Sequence, residues 1–126
     1  MATILVADDD PDFVEVMRTI LMSEGYTVAS ARNGDEALET LRGGGVDLLL
    51  LDVMMASVLD GVSVAFEMQK DAALREIPVI MVSSIISSPH ASMFPTDEYI
   101  PIDKWVTKPV QPDALLQMIA GLLAAN

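Results

Sequence analysis

The stretch from Val46 to Asp52 restricts the fold more than any other part of the chain. It is an almost unbroken apolar run that ends in an acid. A run of this kind, without polar alternation, suits a strand covered on both faces, as in a parallel sheet. Similar segments recur. Thr3 to Ala7 is rich in β-branched residues and stops at Asp8-Asp9-Asp10, and Pro78 to Val82 ends in Ser83-Ser84. Trp105 to Thr107 reads as a short strand, and Tyr26 to Ala31 alternates weakly like one.

Helical signals fall between these runs. Asp10 before Pro11 reads as an N-cap with Pro at the first helical position, and Val14, Met17, Ile20 and Leu21 then recur at helical spacing up to a stop at Gly25. Asn33-Gly34 opens a second helix carrying Ala37, Leu38 and Leu41, ended by Gly43-Gly44-Gly45. Gly61 to Lys70 reads as a third. Pro112 opens a last helix with Leu115, Leu116, Ile119, Leu122 and Leu123 on its apolar side. Residues 85–104 are interrupted by Pro89, Pro95 and Pro101 and keep no helical period. Strand then helix, five times over with the fourth helix unmarked, predicts one domain over residues 1–126: an α/β fold with a parallel sheet and helices on both faces.

Hydrophobic residues make up 52% of the chain and aromatics 5%, so the core is expected to be aliphatic, with Met as filler. There is no Cys, which excludes disulfides, thiolate metal sites and cysteine nucleophiles. The start of the chain lacks the basic segment of a signal peptide, and no apolar run is long enough to span a bilayer. A cytoplasmic protein with no membrane partner is expected. The net charge of -12, from 19 acids and 7 bases, disfavours direct binding of nucleic acid. Most of these acids need no role beyond solubility.

In open parallel sheets, chemistry gathers at the carboxyl ends of the strands. Here the first strand ends at Asp8 and Asp9, the third at Asp52, the fourth at Ser83 and the fifth at Lys108-Pro109. Three carboxylates on one edge repel each other unless a cation lies among them, and a set of oxygen donors suits Mg2+ or Mn2+. A carboxylate can also accept a phosphoryl group, a transfer that needs mainly positioning and charge stabilisation.

These residues give the chain its resemblance to bacterial response-regulator receiver domains. The stretches that carry it are Ile4 to Pro11, Gly34 to Leu38, Asp47 to Met55, Asp60-Gly61, Ile77 to Ser83, and Lys108-Pro109. Each is weak alone, but in this order they cover nearly the whole chain. The resemblance implies a flavodoxin-like (βα)5 doubly wound sheet with strand order 2-1-3-4-5. It implies Asp52 as phosphoacceptor, and Mg2+ or Mn2+ held by Asp8, Asp9, Asp52 and the backbone carbonyl of Met54. Ser83 and Lys108 would bind the phosphoryl group, Trp105 would take the place of an aromatic switch residue, and the Lys108-Pro109 bond would be cis. The donor would be a histidine kinase or histidine phosphotransfer protein. Output would pass through contacts with a further protein, a homodimer being one candidate. Beyond its own phosphorylation and dephosphorylation the protein is not expected to be an enzyme.

Two stretches depart from the family pattern. After the phosphoacceptor the chain runs Met55-Ala56-Ser57-Val58-Leu59-Asp60-Gly61, without the usual Pro and with one residue more. Before the fifth strand it runs from Ser92 to Lys104 without the usual small-residue turn, so a short or displaced fourth helix with a long loop is expected. Met54 and Ile85 lie two residues beyond the acceptor and the switch hydroxyl, where in the family side chains influence how water reaches the phosphoryl group. Neither hydrogen-bonds to water, so slow self-dephosphorylation is expected.

Blander readings stand beside these. Asp10 is a cap, and Asp8 and Asp9 could share that solvated role. Ser83 could be an ordinary strand end, and Trp105 plain packing. His90 reads as a loop residue, and Met93-Phe94-Pro95 as buried against the sheet rather than an exposed docking patch. The competing function is a pseudo-receiver, a phosphorylation-independent interaction module. A flavin mononucleotide carrier would need a phosphate loop where the acids stand. A phosphatase of the haloacid-dehalogenase type would want an acid at Met54.

Overall fold

The computed structural model describes residues 2–52, 60–83, 103–107 and 110–125. β3 (Leu48–Asp52) occupies the middle of the sheet, and all five of its residues are buried. Its leucines divide between two cores. Leu49 and Leu51 face one side of the sheet and Leu48 and Leu50 the other. This explains why the segment carries no polar alternation, since neither face meets water.

The remaining elements follow in the expected alternation. They are β1 (Thr3–Ala7), α1 (Pro11–Ser23), β2 (Thr27–Ala31), α2 (Gly34–Arg42), then after β3 α3 (Asp60–Gln69), β4 (Val79–Ser83), β5 (Lys104–Thr107) and α4 (Pro112–Ala125). The five strands are all parallel, in the order β2-β1-β3-β4-β5. That is the doubly wound order expected, with its switch point between β1 and β3. Ala37 and Leu41 of α2 and Val64, Ala65 and Met68 of α3 pack on one face. Val14, Met17 and Leu21 of α1 and Leu115 and Ile119 of α4 pack on the other. The helix written here as α4 is the last of the five expected; the expected fourth lies outside the described residues, as do His90 and the Met93-Phe94-Pro95 cluster. Among the described residues, no helix is long and apolar enough to cross a membrane.

Local chemistry sets the helix ends where the sequence predicts them. The Asp10 side chain accepts from the Asp12 amide at 3.0 Å, with Pro11 at the first helical position. Asn33 Oδ1 accepts from the Glu36 amide at 2.9 Å, and Glu36 Oε1 accepts in return from the Arg32 amide at 2.9 Å. That bond from the Arg32 amide, with the Arg32 guanidinium beside it, holds the Glu36 carboxyl below its ordinary 4.5. Gly25 follows α1 at φ 92, a left-handed conformation that closes the helix without a Cβ clash.

At the amino edge of the sheet two aspartates extend the ladders beyond the strands. Asp47 donates its amide to the Thr3 carbonyl at 2.8 Å and accepts the Thr3 amide on Oδ2 at 2.8 Å. Asp103 does the same with Val79, at 2.9 Å and 2.8 Å. A side chain thus completes the pairing where the backbone partner runs out. The sequence marks neither aspartate as structural.

Two stability predictions follow from this packing. Leu50→Ala, in a site 1% exposed, should lower the unfolding free energy by about 2–5 kcal/mol in urea denaturation. Unchanged stability would contradict the two-core reading. Asp103→Ala should cost about 1–2 kcal/mol by leaving the Val79 amide without its carboxylate. Asp103→Asn, which keeps the acceptor, should cost less, and an equal cost for both would argue against that bond.

Candidate acidic site at the carboxyl edge of the sheet

β1 and β3 are neighbours, and Ala7 pairs with Leu51. The residues that follow, Asp8 and Asp52, therefore stand abreast at the switch point of the sheet. Asp9 comes next on the turn into α1. One carboxylate oxygen from each of Asp8, Asp9 and Asp52 lies within 4.8 Å of the others. Asp8 is 1% exposed and Asp52 6%, whereas Asp9 faces solvent. The backbone holds Asp8 in place twice. Its amide donates to the Ala31 carbonyl at 3.0 Å, and its Oδ1 accepts from the Asp10 amide at 2.9 Å.

Three carboxylates this close, two of them withdrawn from water, repel strongly in a low-dielectric setting. A cation among them would relieve that repulsion. The donors are all oxygen and partly open to solvent on the Asp9 side. This fits a hard divalent ion such as Mg2+ or Mn2+, which keeps several waters, and offers nothing to a soft metal.

The structure thus brings together the three acids that the sequence singles out. Ser83 closes β4, its backbone paired with Thr107 at the end of β5. Met54, Lys108 and Pro109, and with them the expected carbonyl ligand and cis bond, lie outside the described residues. Trp105 stands in β5 opposite Met81 and is 39% exposed. It is on the strand that leads toward the site, two residues before Thr107.

Sequence reasoning passed over two basic residues beside the acids. Arg18 of α1 and Arg32, just after β2, line a cavity of about 440 Å³ together with Asp8 and Asp9. The place of Arg32 after a strand was readable. That α1 carries Arg18 along the same cavity depends on how the helix lies across β1 and β2.

Residues 4–120 match the family described as response regulator receiver domain. The transcriptional regulatory protein GlrR of Escherichia coli K12 is 36% identical over 122 residues, 97% of this chain but 26% of that protein. The chain spans about a quarter to a half of the length of the curated relatives it matches. Among solved structures, the signal receiver domain of a signal transduction histidine kinase from Syntrophus aciditrophicus is 30% identical, with a TM-score of 0.88 over 99% of this chain and 92% of that one. The response regulator TrrA from Thermotoga maritima, in complex with Mg(2+)-BeF, is 31% identical, with a TM-score of 0.80 over 97% of this chain and 99% of that one. With the profile match, the strand order and the acidic site in agreement, the chain belongs to the response regulator receiver domain family.

Proposed function

We propose that the chain is a phosphorylation switch of a two-component or phosphorelay system, with Asp52 as its phosphoacceptor. One observation carries this reading: a buried Asp52 shares a 4.8 Å cluster with Asp8 and Asp9 at the carboxyl edge of a parallel sheet. A carboxylate at a strand end so apolar is costly to bury without a task.

In the transfer, an Asp52 oxygen bonds to phosphorus while the bond from phosphorus to the donor imidazole nitrogen breaks. The nitrogen keeps the electron pair and takes up a proton. The donor is a histidine kinase or a histidine phosphotransfer protein. Asp8, Asp9 and Asp52, with the Met54 carbonyl, would hold Mg2+ or Mn2+, which would neutralise the phosphoryl charge. The presence of Mg(2+)-BeF in the Thermotoga relative supports a cation at this kind of site. Lys108 pairs with the phosphoryl oxygens, the Ser83 hydroxyl moves in to donate to them, and Trp105 follows that movement, a local charge event read at a distance. Asp52 ends a strand that is buried and packed on both faces, which favours an acceptor held in place before the donor arrives.

The receiver catalyses its own phosphorylation and dephosphorylation and no other reaction. Its output is a protein contact, with another protein or with a second copy of itself. At a net charge of -12 it does not touch nucleic acid directly, and it works in the cytoplasm.

Incubation with Mg2+ and acetyl phosphate, read by intact mass, should add one phosphoryl group to the parent chain and none to Asp52→Asn. No adduct in either, at donor levels that label a receiver of known activity, would favour a module that works without phosphorylation. Once formed, the aspartyl phosphate should outlast that of a Met54→Asn variant, because Met54 cannot orient a water by hydrogen bonding. A parent half-life well below that of the variant would contradict this.

A further inference from the structure

We propose that Arg32 and Arg18 set the affinity of the acidic site for its cation, acting as fixed positive charges that weaken the hold of the three carboxylates on it. The proposal rests on the reading of Asp8, Asp9 and Asp52 as a cation site. Strand register puts Arg32 against the acids. Ala7 pairs with Ala31, and the Asp8 amide donates to the Ala31 carbonyl at 3.0 Å. Arg32, the residue after β2, therefore follows the last paired position on the strand next to Asp8, and neighbouring strands lie roughly 4.8 Å apart. Arg18 approaches along α1, and both arginines share the cavity of about 440 Å³ with Asp8 and Asp9.

Each guanidinium has one carboxylate beside it, Glu15 for Arg18 and Glu36 for Arg32, each at 3.4 Å, and the arginine side chains are 34% and 82% exposed. Ion pairs this long and this exposed are weak, so the arginine charges remain felt by their neighbours. Val14 and Ala31 give the cavity an apolar wall. Such a wall reduces screening on the side of Arg18, whereas the largely exposed Arg32 acts through solvent and is the more sensitive to salt. Two of the chain's 7 basic residues line one cavity with Asp8, Asp9 and Glu15, so the field there stays negative but is weaker than the acids alone would set. A divalent ion entering the cluster meets attraction from its three carboxylates and from Glu15 on the cavity wall, offset in part by repulsion from the two guanidiniums.

Arg42 supplies a control with the same charge. It ends α2 and lines a separate cavity with Gly44, Gly45 and Leu74, toward the amino edge of the sheet. Mn2+ titration of the full chain at low ionic strength, with the free ion read by electron paramagnetic resonance, compares the parent with Arg32→Gln, Arg18→Gln, Arg32→Lys and Arg42→Gln. Arg32→Gln should bind Mn2+ roughly two- to four-fold more tightly than the parent, and Arg18→Gln about two-fold. Arg32→Lys and Arg42→Gln should bind as the parent does, and the gains should shrink at about 0.3 M salt. Parental affinity in both Arg32→Gln and Arg18→Gln would overturn the proposal, and so would an equal gain in Arg42→Gln, which would assign the effect to net charge. Failure of the parent and every variant to bind Mn2+ would instead remove the cation site itself. Binding and its tuning are thereby judged separately.

Discussion

The inner strands of this sheet are covered on both faces, and most of the remaining structure answers to that condition. Val79 to Val82 of β4, Ile4 to Ala7 of β1 and Leu48 to Leu51 of β3 are all buried. Along such strands no polar side chain can reach water, and an unpaired one would be costly. Polar chemistry is therefore displaced to the two ends of the strands. At the amino edge, Asp47 and Asp103 complete ladders that the backbone alone leaves open. At the carboxyl edge, Asp8, Asp9 and Asp52 gather at the switch point. Aspartate thus closes hydrogen bonds at one edge and gathers charge at the other.

That charge is where folding and function oppose each other. Asp8 and Asp52 are nearly inaccessible, and their mutual repulsion is not diluted by water. The fold accommodates them by orienting Asp8 with the amide of Asp10 and by leaving Asp9 open to solvent. The dense aliphatic packing beneath keeps the acids in register. Leu48 to Leu51 fill both cores, so β3 cannot slip by one residue without exchanging the faces of every leucine. A strand packed on both faces and ending in Asp52 fixes where that carboxylate stands.

Several of these features were legible in residues alone. The four consecutive leucines of β3 announce a strand without a wet face. Asp10 with Pro11, and Asn33 with Gly34, announce helix starts, and in the structure the Asp10 and Asn33 side chains cap them. Asp8, Asp9 and Asp52 could be named because strand ends are recognisable where apolar runs meet acids. The roles of Asp47 and Asp103 could not be read. Each pairs with a residue 44 or 24 positions away, and nothing local distinguishes them from solvated acids. Arg18 and Arg32 escaped for the same reason, because their neighbourhood is created by the lie of α1 against β2.

By itself, the sequence determined the alternation of elements, their caps and the two-sided burial of the central strands, since these depend on short-range periodicity and side-chain chemistry. The family pattern added the strand order. Only the tertiary structure decided which charges share a space: that Asp8 and Asp52 stand abreast because β1 and β3 are neighbours, and that two arginines share a cavity with the acid pair. Electrostatic interaction depends on distance through space and on the medium between charges, and neither is written in the order of residues along the chain.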